Sequence, residues 1–402
     1  MKIEIIGTDS KDGNGCCCCC AGSCGPQGNA PGNSGLENLV DGNATGSVRG
    51  IGAATGYTMG RYAIALGSNT TASGYASLAQ GESTDASGDA SHAEGDRTEA
   101  PGMGAHAEGS VTTASGRASH AQGQLTKALG TASHAEGSFT TASGGYSHAQ
   151  GEATLASGHA SHAGGDGTIA QGYAQTAIGM FNVASGNPTA IPTGNDNALI
   201  IGGGNINTHA NAFRFQFNGQ AYGARWNTSG ADYAEMFEWL DGNPANEDRR
   251  GYFVTVQGGH IRKATDKDQY ILGVISATPS VVGDSHGLGW RDMYMRDDFG
   301  EIIYEWAEAE REVTGEDQKE IVREHRPKPN SAYDPTKTYI PRDQRKEWAA
   351  VGMLGKLIVR DDGSCKQDGF CAVGAGGIAT ASESGYHVLE RVGKDKVRIV
   401  YK

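Results

Sequence analysis

Apolar and polar positions in the first half of the chain recur with a period of 14 residues. From Ala72 the units read ASGYASLAQGESTD, ASGDASHAEGDRTE, APGMGAHAEGSVTT, ASGRASHAQGQLTK, ALGTASHAEGSFTT, ASGGYSHAQGEATL, ASGHASHAGGDGTI and AQGYAQTAIGMFNV, with TMGRYAIALGSNTT from Thr58 in front, nine in tandem. Glycine occurs twice in each unit, at Gly60, Gly74, Gly88 and on to Gly172, and at Gly67, Gly81, Gly95 and on to Gly179. Short alternating stretches between glycines predict very short strands joined by turns with positive φ. Self-similarity at a fixed period predicts a solenoid, one unit per coil. Thr at the penultimate position of eight units is expected to stack as a ladder along one face.

Beyond the repeat the pattern changes at Asn187-Pro188. Residues 197–204 read as a strand ending in a glycine turn, and Phe213, Phe215 and Phe217, alternating with Arg214 and Gln216, read as a half-buried strand followed by another from Tyr222 to Trp226. Further strands are predicted from Tyr252 to Val256, Ile271 to Ser276, Lys356 to Val359 and Val388 to Val400. The charged stretch from Glu301 to Arg326 is expected to be a helical or extended insertion presenting a solvated face.

Composition sharpens this division. Residues 1–228 carry 16 Asp/Glu and 9 Lys/Arg, against 30 and 24 in residues 229–402. The 62 glycines lie mostly in the first half, where large apolar residues are sparse, so one coil has little but Ala and Ser to bury. Lateral association with further copies is expected to supply the missing core.

A net charge of −13 without a basic patch argues against nucleic acid as a partner. No apolar run reaches the length of a membrane span, and Met1–Ile6 is too short for a signal segment. The expectation is cytoplasmic synthesis, with a final location on a virion, cell or particle surface. Cys16–Cys20 and Cys24 suit cross-linking, metal capture, surface anchoring or a passive tail; Cys365 and Cys371 are expected as free thiols. No P-loop motif is present and no cofactor is assigned.

The repeats resemble the S-x-A-x-G units of the left-handed parallel β-roll in YadA-like heads of trimeric autotransporter adhesins. The resemblance covers residues 58–186 and implies a homotrimer with the x positions facing a threefold axis. Ile64, Leu66 and Ile178 keep the apolar character of that family. The middle units depart from it, with His92, His106, His120, His134, His148 and His162 at the first x position and Glu94, Glu108, Gln122, Glu136 and Gln150 at the second. Hydrogen-bonded polar layers are favoured over metal or anion capture on the axis, and no metal ligand is assigned. Either reading predicts loosening as His charges near pH 6.

The segment Asn227-Thr228-Ser229-Gly230-Ala231-Asp232-Tyr233-Ala234-Glu235-Met236-Phe237-Glu238-Trp239 stands where composition switches. It resembles the start of the intramolecular-chaperone autoproteolytic domain of Bacillus-phage neck appendages and related tail spikes. The likeness continues through Gly251–Thr255, Tyr270–Val274, Asp334-Pro335, Tyr339–Arg342 and Val351-Gly352-Met353-Leu354-Gly355-Lys356. It implies self-cleavage between Thr228 and Ser229, with Ser229 as nucleophile and Asp232 as its base; Glu235 is a candidate second carboxylate. By spacing alone, S-x-x-D before an amphipathic run is also a helix N-cap, and a helix start there would offer backbone N–H groups to an oxyanion.

The expected organisation is therefore a low-complexity segment 1–57, β-roll repeats 58–186, a β collar 187–228 and a chaperone domain 229–402. The fold class is mainly β, ending in an α+β or mostly β domain. The function expected is a homotrimeric fibre whose C-terminal domain drives assembly and then releases itself in a single turnover. The alternative is an adhesive fibre that keeps this domain as receptor-binding tip or trimer clamp. Partners are copies of the chain itself, with a host receptor or a particle attachment protein as further candidates.

Overall fold

The computed structural model describes residues 39–50, 58–287, 289–312 and 319–402; the cysteines at 16–20 and 24 lie outside them. Among the described residues there is no α-helix, only three single 3-10 turns at Arg291–Met293, Arg342–Gln344 and Ala375–Gly377. The C-terminal region is thus mostly β, and the α+β alternative falls. The chain forms two compact units, divided between Thr154 and Leu155.

In the first unit each repeat is one coil. Five-residue strands at Ile64–Ser68, Leu78–Glu82, His92–Asp96, His106–Ser110, His120–Gln124, His134–Ser138 and His148–Glu152 pair in parallel with equivalent residues aligned. Two-residue strands such as Thr71–Ala72 with Asp85–Ala86, and Thr113–Ala114 with Lys127–Ala128 and Thr141–Ala142, close the opposite side. Because side chains alternate across a strand, Ala79, Ala93, Ala107, Ala121 and Ala135 fill the interior at 0% exposure.

The Thr positions Thr70, Thr84, Thr98, Thr112, Thr126 and Thr140 lie on the inner face of the coil at 0–1% exposure. The inward positions are mostly Ala, Ser and Thr, with Gln175 and Asn182 buried in the last coil. The two glycine series have different causes. Gly67 has φ +120 and a Cβ there would stand 2.0 Å from the Gly81 carbonyl oxygen. Gly60, without positive φ, is needed only because its Cβ would stand 1.9 Å from the Gly74 oxygen. The turn beside it is made by the residue two places on, Tyr62 or Ala76 or Ala90, with φ 51 to 59.

In the second unit, strands His162–Asp166, Thr176–Met180 and Asn197–Gly203 pair in parallel, and Asn211–Gln216 and Ala221–Gly223 add antiparallel. Phe213 and Phe215 are half-buried, while Phe217, Tyr222 and Trp226 are exposed. The following sheet is built on the 13-residue strand Trp348–Arg360. Its first part pairs with Asp232–Glu238 and Gly273–Ile275, its last part with Lys396–Tyr401. Phe253, Val274, Leu357, Val359, Val388, Val397 and Ile399 form one core, and Trp239, Val254, Ile261 and Val351 a second.

The stretch Val388–Val400 is not one strand but two, Tyr386–Gly393 and Lys396–Tyr401, paired as a hairpin. The charged insertion is extended: Tyr304–Glu312 pairs antiparallel with Lys319–Pro327. Glu308, Glu310 and Glu312 fall at every second position, the period of a strand.

Candidate active site

Asp232 opens a strand, so the helix N-cap reading of Ser229 and Asp232 is wrong, and no helix N-terminus supplies oxyanion donors there. What shapes the segment is the facing run Val351–Lys356. Asp232 pairs with Gly355 and Tyr233 with Leu354, after which Ala234 pairs with Gly352, leaving Met353 as a bulge. Gly355 has φ +122, and a Cβ on it would stand 2.3 Å from the Ala231 carbonyl oxygen. A Cβ on Gly352 would stand 2.8 Å from Asp232 Oδ2. The two glycines, three residues apart, let the Ala231-Asp232 backbone and carboxylate settle onto the sheet.

Backbone hydrogen bonds hold the segment from two sides. The Lys356 N–H donates to the Ala231 carbonyl at 3.1 Å, and the Ser280 N–H donates to the Asp232 carbonyl at 2.7 Å. Just upstream, Thr228 and Ser229 are exposed, and the Thr228 hydroxyl donates to the Gly230 carbonyl at 3.3 Å. The segment therefore passes from solvent-exposed at Ser229 to fixed and buried within three residues.

Asp232 is 6% exposed, and its Oδ2 is buried without a hydrogen-bond partner among the described residues. Burial pushes its carboxyl above the usual range, with the Ser276 hydroxyl opposing. Ser229, Asp232 and Ser276 line one cleft of about 570 Å³, together with the cations Arg250, Lys356, Arg360, Lys396 and Arg398. Arg250 and Arg360 pair with Asp248, Lys396 with Asp395 and Arg398 with Glu390. Lys356 is exposed at the edge of this cleft.

Glu235 is not brought to Ser229 and Asp232. It lies on the same strand with Tyr233, whose hydroxyl donates to Glu235 Oε1 at 2.5 Å, while Asp232, Ala234 and Met236 are buried on the alternate side. Two residues that sequence reasoning passed over belong to the site, Ser276 and Lys356. The spaced glycines of Val351–Lys356 were the available signal, since glycines in a strand mark a bulge or a close approach.

The repeat residues form a separate arrangement. His92, His106, His120, His134 and His148 stand half-exposed on the outside of their coils, ring centroids 4.6–4.8 Å apart and nearly parallel. Beside them Glu94, Glu108, Gln122, Glu136 and Gln150 form a second half-exposed stripe. Glu carboxylates approach His Nε2 at 3.7 Å for His92–Glu94 and His120–Glu108, and at 3.4 Å for His148–Glu136. Burial holds His92 and His120 below the usual imidazole range. His162, in the second unit, aligns with Thr176 of the following strand. Cys365 and Cys371 are buried free thiols, burial pushing Cys371 up to about 11. No helix among the described residues is long and apolar enough to cross a membrane.

Comparison with known proteins places this site in context. Residues 181–396 match the family model "Peptidase_G2, IMC autoproteolytic cleavage domain". The preneck appendage protein of Bacillus phage PZA is 45% identical over 151 residues, 37% of this chain and 16% of that protein. The pre-neck appendage protein of Bacillus phage phi29 is 44% identical over 155 residues, 38% of this chain and 16% of that protein. The crystal structure of the pre-mature bacteriophage phi29 gene product 12 aligns over 87% of this chain and 39% of that chain, at 25% identity and a TM-score of 0.46. The chain thus spans about a sixth of the length of the curated relatives it matches.

Proposed function

Because the chain belongs to the Peptidase_G2 family of intramolecular-chaperone autoproteolytic cleavage domains, we propose that it is a homotrimeric phage appendage or spike protein whose C-terminal part, from Ser229, promotes assembly and then cuts itself off between Thr228 and Ser229. The observation that carries this reading is the cleft shared by an exposed Ser229 and a buried, partly unpartnered Asp232.

The chemistry follows from those two groups. Asp232, its carboxyl raised by burial, accepts the Ser229 hydroxyl proton as Oγ attacks the Thr228 carbonyl carbon. Negative charge then develops on the carbonyl oxygen, and Lys356, the cleft cation without an ion pair among the described residues, is our candidate to meet it. Collapse breaks the C–N bond, the Ser229 nitrogen takes the proton, and an ester joins Thr228 to Ser229 Oγ. Water opens the ester, leaving a Thr228 carboxylate and a free Ser229 amine and hydroxyl. The nucleophile lies in the substrate chain, so each chain turns over once.

Assembly as a trimer is supported by what a single chain leaves uncovered. Ile64 is 39% exposed at the position that carries the His stripe elsewhere, Ile178 is 38% exposed at the position that carries the Glu and Gln stripe, and Phe217 and Trp226 are exposed in the junction. Association of copies covers both. The assembled fibre belongs on the virion, as the names of its appendage relatives suggest.

Mass spectrometry of the purified protein tests the cleavage. A fragment running from Ser229 to Lys402, absent from Ser229→Ala, is the expected result; an intact chain in a mature trimer favours a fibre that keeps its C-terminal domain.

A further inference from the structure

The acid and amide stripe on the coils is not uniform. Gln80 Nε2 donates to Glu94 at 2.5 Å and Gln122 Nε2 donates to Glu136 at 2.8 Å, so in those coils an amide faces each carboxylate. Glu108 differs. It is aligned with Glu94 on one side, the one carboxylate neighbour pair of the stripe within the first unit, and on the other side with Gln122, whose amide is given to Glu136. Like charges directly opposite on adjacent strands are destabilising, and this pair recurs in every copy of an assembled fibre.

Next to Glu108 stand two unused nitrogens. Nε2 of His106 and Nε2 of His120 are both buried and without hydrogen-bond partners among the described residues. One ring nitrogen of each imidazole and a Glu108 oxygen lie within 4.8 Å of one another, and His120 Nε2 is 3.7 Å from Glu108 Oε1. Two imidazoles and one carboxylate are a donor set of zinc sites. Reaching zinc–nitrogen distances of about 2.0–2.1 Å requires tilting the two half-exposed rings.

We infer that His106, Glu108 and His120 form a zinc-type divalent-cation site, which offsets the charge stacked at Glu94 and Glu108 and leaves an open coordination position for water or a neighbouring copy. The adjacent layers do not repeat it: Glu94 and Glu136 are engaged by amides, and between His120 and His134 the second position is the neutral Gln122. The site is independent of the cleavage chemistry, since its residues all belong to the first unit.

The test uses the full chain without a polyhistidine tag, with Cys16–Cys20 and Cys24 replaced by serine so that their thiols take no metal. Titration with zinc chloride should raise the thermal midpoint, magnesium chloride should not, and about one zinc per chain should survive dialysis. Cobalt in place of zinc should give d–d absorption without a thiolate charge-transfer band. Glu108→Gln should raise the metal-free midpoint by relieving the repulsion, while lowering zinc affinity at least about tenfold; His106→Gln with His120→Gln should abolish retention. Absence of bound zinc, an equal response to magnesium, or unchanged binding in the folded Glu108→Gln protein would overturn the assignment.

Discussion

Oδ2 of Asp232 occupies the space that a side chain on Gly352 would need, 2.8 Å from where that Cβ would lie. Gly352→Ala therefore presses on both Asp232 and Leu357, whose Cδ2 would stand 2.4 Å from the same Cβ. We expect this substitution to slow self-cleavage, followed as band conversion on denaturing gels. Adding Asp232→Ala should restore part of the lost thermal stability without restoring cleavage. A G352A protein that cuts at the wild-type rate would remove the contact from the mechanism.

Holding Asp232 in a buried place has a cost that depends on pH. Its folded-state carboxyl lies above the unfolded value of about 3.9, so the folded protein keeps a proton that the unfolded chain releases. The contribution is fully present below about pH 4 and is lost as pH rises through the folded value. Asp232→Asn lacks this dependence. At pH 7.5 it should melt above an uncleaved reference such as Ser229→Ala, and the gap should close on acidification. A constant gap from pH 3 to 8, measured by calorimetry, would contradict the burial argument.

Asp361 presents the opposite case. Its side chain is fully buried, which alone would raise the carboxyl, but hydrogen bonds from Cys365 and from Arg391 at 2.6 Å hold it below the usual range. Arg391→Ala leaves that carboxylate unpaired and should cost roughly 3 to 5 kcal/mol in denaturant unfolding of the C-terminal unit. Arg391→Lys should recover only part of it, because Arg391 also donates to the Cys365 carbonyl.

In the repeats, Val111 holds φ +57, a conformation in which a β-branched side chain is strained. It is 37% exposed, so little packing is at stake. Val111→Asn should stabilise the coils by roughly 1 kcal/mol, read as a higher thermal midpoint. A fall in the midpoint would mean that Val111 packs against something a single chain does not contain.

The repeat was legible because its cause is local: a 14-residue coil shows its period in every unit, and the buried Ala and Thr recur with it. The roles of individual glycines were less legible, since Gly60 and Gly67 look alike in sequence and both face a glycine carbonyl of the next coil, yet only Gly67 has a positive φ. The same limit governed the site. Ser229 and Asp232 stood out through a motif, but that Asp232 starts a strand depends on Gly352 and Gly355, more than 100 residues away. Spacing suggested a helix; long-range pairing overrode it. Ser276 reaches Asp232 only through the fold, and no local pattern marks it.

The alignment of equivalent residues from coil to coil also quantises the length of the protein. Removing one 14-residue unit shortens the stack by a single strand spacing of about 4.8 Å and leaves each surviving His above a His. Removing 13 or 15 residues would turn buried alanines outward from that point on. Evolution can therefore tune the reach of such a stack of coils in fixed steps, like a ruler graduated in whole marks.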